Sequence, residues 1–415
     1  MNPTLHIALR FISHRKRSML ISFAGITLGV AFFICTQAQT QGFERFYIQT
    51  VLGSTGALTV EDKFQPRFTG LLQGRGYDIV GVANEQGRKY IAGIDNADQV
   101  MRVVREFSNV AACAPVLEGS VTLRTNFKEE VFRVQGIDLE AHLQTTALGE
   151  QIIAGDLAAF RAHPQGLLLG AELAKKLQAR VGDTVTLTGP DATPRAFFVS
   201  GIFQTGDNLI DERRGFIHLP AARRVLDKPT GITLIIVKLT DPDRAPQLAA
   251  HLEGLMQHRV RSWQDRERGN LQVFHAIRIS AATTVSAIIV LAGFGIFNVL
   301  TLMILDKTRE IAILRSMGYE RHDIRDIFLW QGLLIAAVGG AAGCVLGMVL
   351  TWWISRVPVR IRGFFAADHF LVSWNWTHYL AALVVAFIAV LLASYWPARR
   401  AARLAPVDVL RGAGQ

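Results

Sequence analysis

The stretch Ile279-Ser-Ala-Ala-Thr-Thr-Val-Ser-Ala-Ile-Ile-Val-Leu-Ala-Gly-Phe-Gly-Ile-Phe-Asn-Val-Leu-Thr-Leu-Met-Ile-Leu305 decides the fold class. It holds no Asp, Glu, Lys or Arg and outlasts the roughly 20 apolar residues that carry a helix across a bilayer core. Arg278 and Asp306 bound it. Three more stretches, 18–43, 327–355 and 370–398, are equally free of those residue types. The first is apolar only to about Ala38, and the last has its apolar heart between Tyr379 and Trp396. A buried helix of a soluble protein can mimic one such run, but four of this length and cleanness read as transmembrane helices.

Composition points the same way. Of 415 residues, 50% are hydrophobic and 19% charged, with 44 Lys+Arg against 34 Asp+Glu and a net charge of +10. A pI near 9.8 first suggests nucleic acid, yet a mean hydropathy of +0.27 is unusual for a soluble basic protein. The distribution of charge decides against nucleic acid. Between Gln39 and Arg278 there are 28 Lys+Arg and 27 Asp+Glu, so the excess lies in the membrane flanks. Arg10, Arg15, Lys16 and Arg17 precede the first run; Lys307, Arg309, Arg315, Arg321 and Arg325 lie between the second and third; Arg399, Arg400, Arg403 and Arg411 follow the fourth. The opposite short loop has only Arg356, Arg360 and Arg362. By the positive-inside rule both termini face the cytoplasm and the long segment lies outside. Trp352, Trp353, Trp374, Trp376, Tyr379, Tyr395 and Trp396 sit where an interfacial aromatic belt is expected.

The expected organisation is an amphipathic surface helix over 1–17, with Leu5, Ala8, Leu9 and Ile12 at helical spacing, and then a first span over 18–40. An extracytoplasmic domain over 41–278 follows, then spans over 279–305, 327–355 and 377–396. A loop over 306–326, a short outer loop over 356–376 and a tail over 397–415 complete the chain. The first run reads as an uncleaved anchor rather than a signal peptide, because its apolar stretch is too long for a signal core and carries Gly25 and Gly29, a helix-packing pair. The outer segment reads as mixed α/β, with strands such as 121–124, 131–135, 184–188, 197–203, 216–219 and 233–239 between short helices. Of three cysteines, Cys35 and Cys344 fall in spans and Cys113 stands alone outside, so no disulfide framework forms there.

Catalytic signatures are missing. The sequence has no GxxxxGK[ST] phosphate loop, no HExxH, no GxSxG and no CxxC, and its eleven histidines are scattered. No catalytic or metal-ligating residue is therefore expected, and any energy source belongs to a partner. The segment after the second span, Asp306-Lys-Thr-Arg-Glu-Ile-Ala-Ile-Leu-Arg-Ser-Met-Gly318, sets apolar Ile311, Ile313, Leu314 and Met317 beside Arg309, Glu310 and Arg315 and breaks at Gly318. A short helix of this kind suits docking in a groove of another protein, although a solvated turn has the same pattern. On the third span Gly339, Gly343 and Gly347 form a double GxxxG face for close helix packing.

The run Lys307 to Gly318, with Pro397-Ala-Arg-Arg-Ala-Ala-Arg-Leu-Ala-Pro-Val-Asp-Val-Leu-Arg411 and the outer Leu169-Gly-Ala-Glu-Leu-Ala-Lys-Lys-Leu177 and Val181-Gly-Asp-Thr-Val185, resembles the FtsX-like, or MacB-type, permeases of ABC transporters. Gly29-Val-Ala-Phe-Phe33, Gln41-Gly-Phe-Glu-Arg-Phe46, Phe297-Asn298 and Gln331-Gly332 look most like the lipoprotein-releasing, Lol-type branch. The resemblance implies one span, a periplasmic core of MacB type, three more spans, and an inner-membrane location. It makes Arg309 to Gly318 a coupling helix on a separate ATPase subunit, which would bind the ATP and Mg; this chain would bind no cofactor. It further implies a second permease chain, the same or different, and a periplasmic carrier or membrane-fusion protein as possible partners. Lipidated or amphiphilic cargo would enter an apolar cleft lined by Phe32, Phe33, Phe294, Phe297 and Asn298. One departure stands out: Lol-type chains carry a longer hairpin where Thr188-Gly-Pro-Asp-Ala-Thr-Pro-Arg195 makes a short turn, which weakens carrier recruitment. Efflux of drugs or peptides, and activation of a cell-wall hydrolase without transport, are the alternatives within the same family.

Overall fold

A computed structural model describes residues 16–62, 93–94, 96–125, 128–256, 258–358 and 369–403. The expected surface helix over 1–17, apart from Lys16 and Arg17, the middle of the outer loop (359–368) and the end of the tail (404–415) lie outside the described residues. In chain order the elements are α1 (Lys16–Thr55), β1 (Leu58–Glu61), α2 (Ala97–Arg105), β2 (Val110–Arg124), β3 (Glu129–Ile137), α3 (Leu139–Thr145), α4 (Leu148–Gln151), β4 (Ile152–Gly155), α5 (Leu157–Ala162), β5 (Gly166–Gly170), α6 (Ala171–Leu177), β6 (Thr184–Thr188) and β7 (Pro194–Phe203). They continue with α7 (Asn208–Arg213), β8 (Arg214–His218), α8 (Leu219–Val225), β9 (Leu234–Leu239), a 3-10 turn (Pro242–Arg244), α9 (Ala245–Leu255), β10 (Arg259–Ser262), α10 (Trp263–Arg266), α11 (Arg268–Asp306), α12 (Thr308–Ser316), α13 (Arg321–Ser355) and α14 (Trp376–Ala402). The described residues divide into two compact units, one holding Lys16–Phe46 with 272–358 and 369–403, the other lying within Tyr47–Leu271.

In the first unit α1, α11, α13 and α14 are each long and apolar enough to cross a membrane. Small residues bring them together. A Cβ added at Gly25 would lie 3.2 Å from Ala292 Cβ, and one at Gly29 only 2.9 Å from Ile289 Cγ1, so α1 and α11 nearly touch there. The stripe Gly339, Gly343 and Gly347 of α13 receives Ile26, Val30 and Ile34 of α1, and Thr27 Oγ1 donates to the Gly339 carbonyl at 3.2 Å. Gly332 of α13 meets Ser394 of α14. With lipid as apolar as Leu, close van der Waals contact of this kind is what holds such a bundle together.

The second unit is built on a sheet ordered β10-β1-β9-β2-β3-β8-β5-β7-β4, with β6 pairing both β2 and β7. Following β2-β3-β8-β5-β7-β6 returns to β2, so six strands close into a ring. Alternate residues of these strands, among them Leu117, Val121, Phe132, Val134, Leu167, Leu169, Leu187 and Val199, fill one core with the inner faces of α6 and α8. The fifteen residues of β2 explain the closure: Val110–Val116 pair with β9, and Thr122–Arg124, farther along the same edge, pair with β6. A second core lies under α2 and α9 on the β10-β1-β9 side. Asp138, Asp156 and Asp207 cap α3, α5 and α7 by accepting backbone N–H bonds.

Candidate functional site

The loop after α11 folds as the sequence dictates. Helix α12 stops at Gly318, whose φ of +102° favours glycine; the Tyr319 N–H returns to the Leu314 carbonyl and the Gly318 N–H to the Arg315 carbonyl, a Schellman ending. Glu320 and Asp323 then form a capping box that starts α13. The predicted docking set divides in two. Ile311 is buried at 1% exposure, Leu314 packs on the bundle core, and half-buried Arg315 donates to the Ala402 carbonyl at 3.3 Å, at the C-terminus of α14 where a cation is favoured. Arg309, Glu310, Ile313, Met317 and Gly318 face outward, with Met317 73% exposed, and Lys307 pairs with Glu310. The surface open to a partner is therefore narrower than periodicity suggests, because Ile311 and Leu314 are committed to the bundle.

The predicted cleft set separates likewise. Phe32 and Phe294 are exposed on α1 and α11, Asn298 is exposed, and Phe297 is half-buried. Phe33, only 5% exposed, turns into the bundle core instead of lining an open surface, because one residue along a helix is a turn of about 100°. The antiparallel register set by Gly25 with Ala292 and Gly29 with Ile289 puts Phe32 and Phe294 at different depths, about 13 Å apart along the axes at 1.5 Å per residue. The structure does not gather these aromatics into one pocket within a single chain.

Sequence reasoning missed the polar groups that hold the end of α1. Arg266 donates to the Thr55 carbonyl at 3.4 Å, to Thr55 Oγ1 at 2.9 Å and to the Gly56 carbonyl at 3.0 Å, and Arg214 donates to the Ser54 carbonyl at 3.4 Å. Two cations thus satisfy the orphan carbonyls of a helix C-terminus. Tyr47 donates to Glu267, and Asn270 donates to both. Arg266 and Glu267 stand just ahead of α11, and no local motif there marks them as partners of a helix end some 210 residues earlier.

Electrostatics inside the second unit favour a structural role. Burial pulls the His142 imidazole down to about 3, with Arg214 adding to the shift, and among the described residues neither ring nitrogen has a hydrogen-bond partner. Burial pushes the Asp211 carboxyl up to about 6, opposed by the Thr205 N–H and hydroxyl it accepts at 2.9 and 2.7 Å. In the short turn before β7, Arg195 grips Asp191 through two nitrogens at 2.7 and 3.2 Å and holds its carboxyl down to about 2. The motif around α6 lines an open groove of about 810 Å³ with Lys175, Gln178, Arg180 and Asp183. Among the described residues no three His, Cys, Asp or Glu side chains gather to hold a metal.

Residues 19–255 match the family model of the MacB-like periplasmic core domain, and 282–406 match that of the FtsX-like permease C-terminal region. The chain belongs to the MacB-type, FtsX-like permeases. It is accordingly a membrane protein with a large extracytoplasmic domain. Among relatives of this permease is the lipoprotein-releasing system transmembrane protein LolC of Xylella fastidiosa, 27% identical over 99% of both chains. LolE of Haemophilus influenzae is 24% identical, again over 99% of both. The macrolide export ATP-binding/permease protein MacB of a Shewanella species is 24% identical over 97% of this chain but 59% of its own length.

Proposed function

We propose that this permease is the membrane subunit of an ABC transporter that lifts lipidated cargo, a lipoprotein or lipid, out of the inner membrane. Helices α1, α11, α13 and α14 cross the bilayer, both termini lie in the cytoplasm, and the α/β unit lies in the periplasm. ATP and Mg bind a separate ATPase, which seats on the outward face of α12 through Arg309, Glu310, Ile313 and Met317. Closure of the ATPase pair moves α12, and the bundle passes that motion on to the outer domain. A second permease chain completes the cleft, which fits the separation of Phe32 and Phe294 within one chain. The single observation that carries this reading is end-to-end similarity to two lipoprotein-releasing subunits, against partial overlap with the longer macrolide exporter.

Drug or peptide efflux and hydrolase activation are the readings to exclude. The test is co-purification with the ATPase, reconstitution in proteoliposomes, and measurement of ATP-dependent release of a lipoprotein to a soluble acceptor. Release supports the proposal. ATP-driven stimulation of a cell-wall hydrolase with no release of any amphiphile, or ATP-driven export of a drug instead, refutes it.

A further inference from the structure

We propose that the C-terminal end of α14 is a binding surface for anionic phospholipid, built from Arg399, Arg400 and Arg403. The last turns of this helix have two faces. Ser394, Pro397, Ala398, Ala401 and Ala402 are buried, and Ala398 and Ala401 join the bundle core. Arg399, Arg400 and Arg403 are exposed on the other side. At about 100° per residue, Arg399 and Arg403 fall on the line drawn by exposed Ile388 and Leu392, with exposed Tyr395 and Trp396 to either side of it and Arg400 next to Trp396. Arg399 and Arg403 stand about 4.5 and 10.5 Å beyond Trp396 along the axis, at 1.5 Å per residue. One face of one helix therefore runs from apolar through aromatic to cationic.

The fold does not use these charges itself. At the end of α14 the Ala402 carbonyl is taken from the inner side by Arg315, at 3.3 Å, and the Arg400 carbonyl accepts the Arg403 N–H at 3.2 Å. On the loop at the same end Glu310 pairs with Lys307, Asp326 with Arg325, and Glu320 and Asp323 with His322. None of the three arginine side chains makes a hydrogen bond or ion pair among the described residues. Three uncompensated charges thus lie just past Trp396, whose ring is 68% exposed and belongs at headgroup level. Guanidinium forks match phosphate oxygens two at a time, and arginine stems lie well along apolar surface. A soluble protein seated on these arginines would have to stop short at Trp396. A phospholipid spans the whole face, its acyl chains on Ile388 and Leu392 and its phosphate on Arg399 and Arg403. Phosphatidylglycerol suits the surface better than phosphatidylcholine, whose ammonium would meet the same arginines. The proposal needs only that α14 lies in a bilayer, so lipoprotein release can fail while it stands.

Native mass spectrometry of the intact chain, released from detergent with equimolar phosphatidylglycerol and phosphatidylcholine, tests it. We expect phosphatidylglycerol to be retained in preference to phosphatidylcholine. An arginine at a lipid surface is worth about fivefold, so Arg399→Gln with Arg403→Gln should cut that preference about 25-fold. Arg399→Lys with Arg403→Lys keeps the charge and should hold most of it. Arg356→Gln, at the opposite end of the bundle where Arg356 lies 4.3 Å over the Trp352 ring, should leave it intact. Because the arginines are exposed, the double glutamine variant should keep the wild-type unfolding temperature in detergent. An unchanged lipid ratio in that variant overturns the proposal, as does an equal loss in Arg356→Gln. Loss of ATPase co-purification in the double glutamine variant at an unchanged lipid ratio would make this face a protein contact, and overturns it too.

Discussion

Replacing Gly343 with alanine probes the contact on which the bundle depends. An added Cβ would fall 2.7 Å from Val30 Cβ, 2.8 Å from its Cγ1 and 2.9 Å from the Thr27 carbonyl oxygen. One of those atoms is backbone, so a rotamer change cannot relieve the clash, and α1 must retreat from α13 by about 0.7 Å to restore ordinary van der Waals contact. That retreat also stretches the bond from Thr27 Oγ1 to Gly339, already 3.2 Å. Overpacking costs about 1–3 kcal/mol and an interhelical hydrogen bond in a membrane about 0.6, so a loss of about 2–3 kcal/mol is expected. Gly339→Ala and Gly347→Ala meet side chains or backbone only at 3.1–3.3 Å and should cost less. Gly295→Ala, with nothing within 4 Å, should be neutral or slightly stabilising, since alanine is the better helix former. Thermal unfolding of the four variants in one detergent should rank them Gly343, then Gly339 and Gly347, then Gly295. Equal unfolding temperatures for Gly343→Ala and Gly295→Ala would refute close packing of α1 on α13 at this glycine.

Other expectations follow from the same geometry. Ile313→Asp and Met317→Asp should abolish co-purification with the ATPase and leave the unfolding temperature unchanged, whereas Leu314→Asp should lower that temperature because Leu314 packs inside. Arg266→Gln strands the carbonyls at the end of α1 and should cost about 2–4 kcal/mol, measured by chemical denaturation, with Arg266→Lys restoring part; no loss would remove the cap from the account. His142 stays neutral in the fold, so its contribution to stability is complete above its ordinary value near 6.5 and is lost as pH falls toward 3. His142→Phe should flatten the acid limb of a stability–pH profile, while Asp211, which holds its proton to about 6, adds an opposite slope between about pH 4 and 6 that Asp211→Asn removes.

Long uncharged runs made the four helices legible, because a bilayer-spanning helix must be apolar wherever it meets lipid. The bounds were less so. Helix α1 runs on to Thr55 through Glu44 and Arg45, since polar residues end an apolar run without ending a helix, and its stop is fixed by Arg214 and Arg266, some 160 and 210 residues away. Outer strands such as Thr184–Thr188 were plain from alternation, but their partners were not. Pairing of β6 with the far end of β2 joins residues about 65 positions apart, and no local pattern encodes that register. At the candidate site, composition marked the α12 segment, whereas the division between Ile311 and Ile313, or Phe32 and Phe33, depends on which way each helix is rotated against its neighbours. Those neighbours are themselves apolar, so sequence alone leaves the rotation open.

The shared strand β2 has a practical consequence for anyone dissecting the outer domain. Its first half belongs to an open sheet and its second half to a closed ring, with no linker between them. Any truncation that keeps one part must cut through a continuous ladder, leaving a raw edge of unpaired amides that invites aggregation. Limited proteolysis should accordingly yield the domain whole or not at all, and chimaeras that exchange cargo or partner specificity must graft both parts as a single cassette.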